Sequence, residues 1–132
     1  MKDLVFDSLL SVGVDEIDED HRKLVDLFNI FNQSVTEGAA TDYLIAVLEE
    51  LVNCTVWHFS HEERLMLKYG YKGFKEHKAE HEELIRNVRK IQHIVQAEKP
   101  VSTEDVEFLR KWLTGHILST DMKLGSYLLD VM

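Results

Sequence analysis

The chain has 132 residues, 45% of them apolar and 30% charged, which is the profile of one globular domain with a sizeable core. Fifteen basic residues against 24 acidic ones leave a net charge of −9, so nucleic acid and anionic membranes are excluded as partners. A single cysteine, Cys54, excludes both an intrachain disulfide and a thiolate metal site.

The first twenty residues, "MKDLVFDSLLSVGVDEIDED", contain one lysine and no long apolar run, so neither a signal peptide nor an anchor is expected. No stretch approaches the roughly 20 apolar residues of a membrane span. A reduced, cytoplasmic compartment is expected. Residues 1 to about 17 read as an irregular arm.

Beyond the arm, apolar residues recur at steps of three and four, the helical period. Leu24, Val25, Phe28, Phe31 and Val35 mark a helix over about 18–37. Leu44, Leu48, Leu51, Leu65 and Tyr69 mark a second over about 42–69, and Leu84, Val88, Ile91 and Val95 a third over about 73–97. Val106, Leu109, Leu113, Leu124 and Tyr127 mark a fourth over about 103–130, opened by Ser102 and Asp105 in a capping-box arrangement. The breaks "GAAT" (38–41), "GYKG" (70–73) and "EKPVS" (98–102) are short. Short connections make antiparallel neighbours, so the predicted fold is all-α: an up-down-up-down four-helix bundle forming a single domain.

Histidines and carboxylates fall on the apolar seams of all four helices. Thr55, His58 and Glu62 continue the second seam, and His77 and His81 open the third. His116 and Thr120 extend the fourth, and His21 precedes Leu24 on the first. A lone core histidine is most simply a satisfied hydrogen-bonding residue. Polar groups on four seams at once would each need a separate partner in a small core.

Position along the chain tests whether they meet. Residues at one level of an antiparallel hairpin are equidistant from its turn. His58 with His81, and Glu62 with His77, both average to 69.5, at the "GYKG" turn. His21 and the His58/Glu62 pair average to 40.5, within "GAAT", and the His77/His81 and His116/Asp121 pairs average to 98.75, within "EKPVS". Five imidazoles and two carboxylates therefore converge at one level, which is the composition of a metal site.

Seven ligands are too many for one tetrahedral zinc, and calcium or magnesium would take oxygen. Bis-histidine haem ligation would strand three histidines and both carboxylates. Two iron or manganese ions bridged by carboxylates use the whole set. His116 and Asp121 are five residues apart, about 140° around an ideal helix, so both face inward only if the helix opens by one residue into a π-bulge.

The motifs "SVGVDEIDEDH" ending at His21, "HFSHEERLM", "GYKGFKEHKAEH" and "WLTGHILSTD" together resemble hemerythrins, particularly the bacterial single-domain kind, over almost the whole chain. The resemblance implies a non-haem di-iron centre that binds O2 reversibly, for storage, delivery or sensing. It implies one iron held by His77, His81 and His116 and the other by His21 and His58, bridged by Glu62, Asp121 and an oxo or hydroxo group. It also implies a ligand pocket lined by Leu24, Phe59, Trp112, Leu113 and Ile117, each within four residues of a ligand histidine. Two departures from the family's pattern are visible. The arm lacks a common tryptophan, with Phe6 nearby, and Asp20 stands where glutamine commonly precedes the first histidine, which bears on the surroundings of His21.

With three bridging oxygens, the iron with three histidines is full and the iron with two keeps one open position for a small ligand. A neutral, histidine-rich set should stabilise highly oxidised iron less than a carboxylate-rich one, favouring O2 binding over O–O cleavage. The expected class is thus an oxygen-binding protein rather than an enzyme, with slow autoxidation or peroxidase turnover as side activities. Its expected partners are O2 and an O2-using enzyme, and its expected state a monomer or weak oligomer, acting as a stand-alone carrier or buffer rather than a receptor module. The alternative is a di-iron enzyme that scavenges nitric oxide or peroxide, or an iron–sulfur repair protein. An iron store is the plainest rival. Of the remaining polar residues, His61 is expected at the seam's edge, Glu63, Glu80 and His93 in solvent, and Met66 and Met122 as core fillers.

Overall fold

The computed structural model describes Leu4 and residues 10–132; Phe6 lies outside the described residues. Helices α1 (Asp15–Thr36), α2 (Thr41–Lys68) and α3 (Phe74–Gln96) are followed by α4 (Thr103–His116). A π-helical segment, Ile117–Asp121, then leads into α5 (Met122–Val131), so that α4, the π segment and α5 form the fourth rod of a four-helix bundle. Among the described residues there is no strand. Sequential helices pack on one another, as short connections between antiparallel rods require.

Helix ends are closed by local chemistry. Ser102 Oγ accepts from the Asp105 amide at 3.1 Å, and the Asp105 carboxylate accepts from the Ser102 amide at 3.4 Å, completing the capping box of α4. After α1 the chain reverses through Gly38 at φ +68°, with the Ala39 amide reaching back to the Ser34 carbonyl at 2.9 Å. Gly70 plays the same part after α2 at φ +67°, where the Tyr71 amide meets the Met66 carbonyl at 2.9 Å. After α3 the left-handed position falls on Glu98, at φ +58°, a conformation that costs a residue carrying a Cβ.

The first helix begins at Asp15, earlier than its apolar period indicates, because residues 11 and 12 fold back to bond Asp18. The Val12 amide donates to Asp18 Oδ1 at 2.8 Å and the Ser11 hydroxyl to Oδ2 at 2.6 Å. This buries Leu10, Val12 and Val14 and brings the Val12 carbonyl against α5 at Gly125, where an added Cβ would lie 2.5 Å from that oxygen.

The apolar seams pack as their period requires. Phe28, Phe31, Leu48, Leu51, Val88, Ile91, Val95, Val106 and Leu109 are buried toward the end bearing loops 37–40 and 97–102. Ile17, Leu65, Met66, Leu124 and Leu128 are buried at the other end. The polar groups of the seams lie between these two apolar regions.

Two substitutions test this packing with opposite signs. Gly125→Ala should destabilise by about 1–3 kcal/mol, since its methyl meets backbone rather than a yielding side chain. Glu98→Gly should stabilise by up to about 1 kcal/mol by relieving the left-handed residue. Thermal melts of both variants against the parent check the two directions.

Candidate metal centre

All four rods contribute to one buried cluster. His21 comes from α1, His58 and Glu62 from α2, His77 and His81 from α3, and His116 and Asp121 from either end of the π segment. Each of the seven is at most 4% exposed. The π-helical turn is what lets the last pair share a face: the backbone opens between His116 and Asp121, as their five-residue spacing requires.

Each histidine turns Nε2 toward the carboxylates. His21 Nε2 lies 2.9 Å from Asp121 Oδ2, and His77 and His116 lie 2.9 and 3.0 Å from Oδ1. His81 Nε2 is 3.0 Å from Glu62 Oε1, with His58 and His77 at 3.4 and 3.5 Å from the same oxygen. None of these approaches has the direction of a hydrogen bond: all five Nε2 atoms and all four carboxylate oxygens are buried without a partner. Nine orphaned polar atoms facing one another would be prohibitive in a finished core.

The electrostatics are equally unfinished. Burial, reinforced by the charge of Asp121, pushes the Glu62 carboxyl well above its usual range. Burial opposes ionisation of Asp121 too, but His116, His21 and His77 hold it well below. Burial takes the His58 and His81 imidazoles down to about 4 and about 2, leaving them neutral and able to offer a lone pair. His77 is also penalised by burial, yet its contacts with Asp121 and Glu62 raise it to about 9. Imidazoles around buried carboxylates fit cations, and the donor atoms form two groups, each lying within 4.8 Å of one another. One is Glu62, His77, His81, His116 and Asp121; the other is His21, His58, Glu62 and Asp121. The carboxylates belong to both.

Three rings are oriented from behind. His81 Nδ1–H donates to Glu63 at 3.1 Å, and His116 Nδ1–H to Glu80 at 3.0 Å, with Thr120 also donating to Glu80. His58 Nδ1–H donates to Asp20 at 2.9 Å. An acceptor-only carboxylate fixes each tautomer with the Nε2 lone pair inward. Glu63 and Glu80 are therefore not the purely solvated residues their helical angles indicate: their side chains are long enough to reach the neighbouring helix. The Asp20 side chain likewise serves His58 and not the adjoining His21. His61 is buried rather than wet, and its Nδ1–H donates to the same Asp20 oxygen at 2.7 Å. Burial works against the Asp20 charge, but these two hydrogen bonds outweigh it and lower its pKa. His93 is exposed.

The midpoint arithmetic that located the cluster also locates these partners. Glu63 and His81 average to 72, Glu80 and Thr120 to 100, and Asp20 and His61 to 40.5, all within breaks of the chain.

Of the expected pocket residues, Phe59 lies flat on the His81 ring at 3.7 Å and Trp112 on His116 at 4.6 Å. Leu24 and Leu113 line an apolar cavity of about 30 Å³, together with Phe28, Leu51, Thr55, Leu84, Val88 and Leu109. Phe59, Trp112 and Ile117 are not part of its lining. The cavity has a regular relation to the cluster. Leu24, Thr55, Leu84 and Leu113 each lie three residues from His21, His58, His81 and His116, and the other four lie seven residues away. It therefore occupies the next two layers of the bundle.

An all-α bundle with a buried histidine–carboxylate cluster defines a helical metal-binding domain. The model of the hemerythrin HHE cation binding domain matches residues 12–128. A bacteriohemerythrin from Pseudomonas paraeruginosa is 35% identical over 92% of this chain and 78% of its own length. A hemerythrin-like protein from Naegleria gruberi is 30% identical over 89% of this chain and 87% of its own. The crystal structure of a wild-type hemerythrin superposes with a TM-score of 0.87 at 29% identity, covering 95% of this chain and 97% of that one. The chain belongs to the hemerythrin family. Among the described residues, no helix is long and apolar enough to cross a membrane.

In the metal-free protein, Glu62→Gln should leave stability unchanged or raise it, because burial and the charge of Asp121 already disfavour the ionised carboxyl there and the amide is neutral without taking up a proton. The same substitution should cut metal retention sharply. Thermal melts of chelated protein, paired with elemental analysis of protein as purified, check both directions.

Proposed function

We propose that this protein binds O2 reversibly at a non-haem di-iron centre, in the cytoplasm, for storage, delivery or sensing. The observation that carries this reading is the unequal division of the donors: three histidines in one group and two in the other, with Glu62 and Asp121 common to both. His77, His81 and His116 would hold one iron and His21 and His58 the other, with Glu62 and Asp121 shared between the two groups. Ferrous iron held there would supply the electrons that O2 takes up on binding and returns on release.

The protein's own residues do the rest. Glu63 and Glu80 hold His81 and His116 in the ligating tautomer, and Asp20 does the same for His58. The two-histidine side is one ligand short of its neighbour, which leaves room for a small molecule there. The cavity of about 30 Å³ lies one turn from His21, His58, His81 and His116 and is walled by leucine, valine and phenylalanine, with Thr55 the one polar residue. Such a chamber accepts a small apolar gas and disfavours water and ions. Phe59 and Trp112, stacked on His81 and His116, limit the room for those rings to turn. The bacteriohemerythrins among its relatives are consistent with this reading.

Anaerobically reduced protein should be nearly colourless, develop visible absorption on exposure to O2, and lose it when O2 is removed, at two irons per chain. Irreversible oxidation accompanied by turnover of peroxide or nitric oxide would assign the centre to an enzyme instead. Leu24→Phe, which fills the cavity from α1, should slow O2 association at least several-fold while leaving the iron count at two. Flash photolysis or stopped-flow mixing reads the rate.

A further inference from the structure

Asp20 differs from the other carboxylates behind the cluster. Glu63 and Glu80 stand at the rim, 21% and 43% exposed, and each meets one ligand ring. Asp20 is buried, and one of its oxygens accepts from two imidazoles, His58 at 2.9 Å and His61 at 2.7 Å. On its far side His61 faces Glu16 and Trp57. Its Nε2 lies 3.5 Å from the Glu16 carboxylate one turn before Asp20, and its ring packs on Trp57 at 5.5 Å. Glu16 and Asp20 are four residues apart on α1, and His58 and His61 three apart on α2, so the four side chains fasten the two helices together beside the cluster.

Support is therefore unequal between the two donor groups. In the three-histidine group, His81 and His116 are each backed by a rim carboxylate. Among the described residues, His21 Nδ1 and His77 Nδ1 have no hydrogen-bond partner, so Asp20 is the one carboxylate seen behind the two-histidine group, against two behind the other. We propose that Asp20 and His61 form a positioning pair that holds His58 in its ligating tautomer and angle, and so governs how firmly the two-histidine iron is retained. His61 fixes the Asp20 carboxylate and covers it from water; Asp20 in turn holds the His58 ring. The pair adds no ligand of its own. The inference rests on the di-iron reading, since it concerns the hold on one iron of two.

Iron release from the ferrous protein to a chelator tests it without reference to O2. Parent protein should carry two irons per chain; a parent that does not would overturn the di-iron reading itself, separately from the role of Asp20. Asp20→Asn should accelerate one of the two release steps about 10- to 100-fold and leave the other at the parent rate. Glu80→Gln should accelerate the other step, and the double variant should accelerate both. His61→Leu, which keeps the Asp20–His58 bond but removes its brace, should accelerate the same step as Asp20→Asn by a smaller factor. It carries the test alone if Asp20→Asn fails to fold. Equal acceleration of both steps by either variant would show a general loosening of the bundle and overturn the proposal. So would release at the parent rate, or a double variant that leaves one step unchanged.

Discussion

The structure turns on a single requirement: two buried carboxylates and five imidazoles must face one another in a dry core. Left to themselves these groups repel or go unsatisfied, and a bundle of this size would be more stable with leucine in their place. Every unusual feature nearby serves to hold them there. The π-helical turn aims His116 and Asp121 at the same point, and the short loops set the level at which the four rods meet. The apolar regions above and below keep water from screening the cluster. Its orphaned nitrogens and oxygens become assets when cations complete it.

The site is asymmetric in two respects, and they run together. Donor number is three against two, with the carboxylates shared. The carboxylates behind the histidines are rim-exposed on one side and buried on the other. An apolar cavity next to the cluster extends along all four helices one and two turns beyond it, bordering both donor groups, in the direction of loops 37–40 and 97–102. A symmetric cage would store ions. A three-histidine and a two-histidine donor group beside an apolar chamber suit a small neutral guest.

Much of this was legible in the sequence because helices convert spacing into direction. Steps of three and four named the buried faces, equidistance from the turns brought the seven side chains to one level, and the five-residue step from His116 to Asp121 required the distortion found at Ile117–Asp121. What escaped was the outer layer. A helical angle treats a side chain as a radius of fixed direction, whereas Glu63 and Glu80 are long enough to leave their own radius and meet rings on the adjoining helix. Asp20 was visible as a departure from the family's pattern, but its neighbour in sequence, His21, is not its partner in space. The early start of α1 was hidden because it depends on residues 11 and 12 bonding back to Asp18, a contact with no periodic signature.

The most direct measurement is an anomalous-difference map at the iron edge from crystals grown with ferrous iron. Two peaks are predicted, both in contact with Glu62 and Asp121, one ringed by His77, His81 and His116 and the other by His21 and His58. A single peak, or none within this cluster, would contradict a di-iron centre.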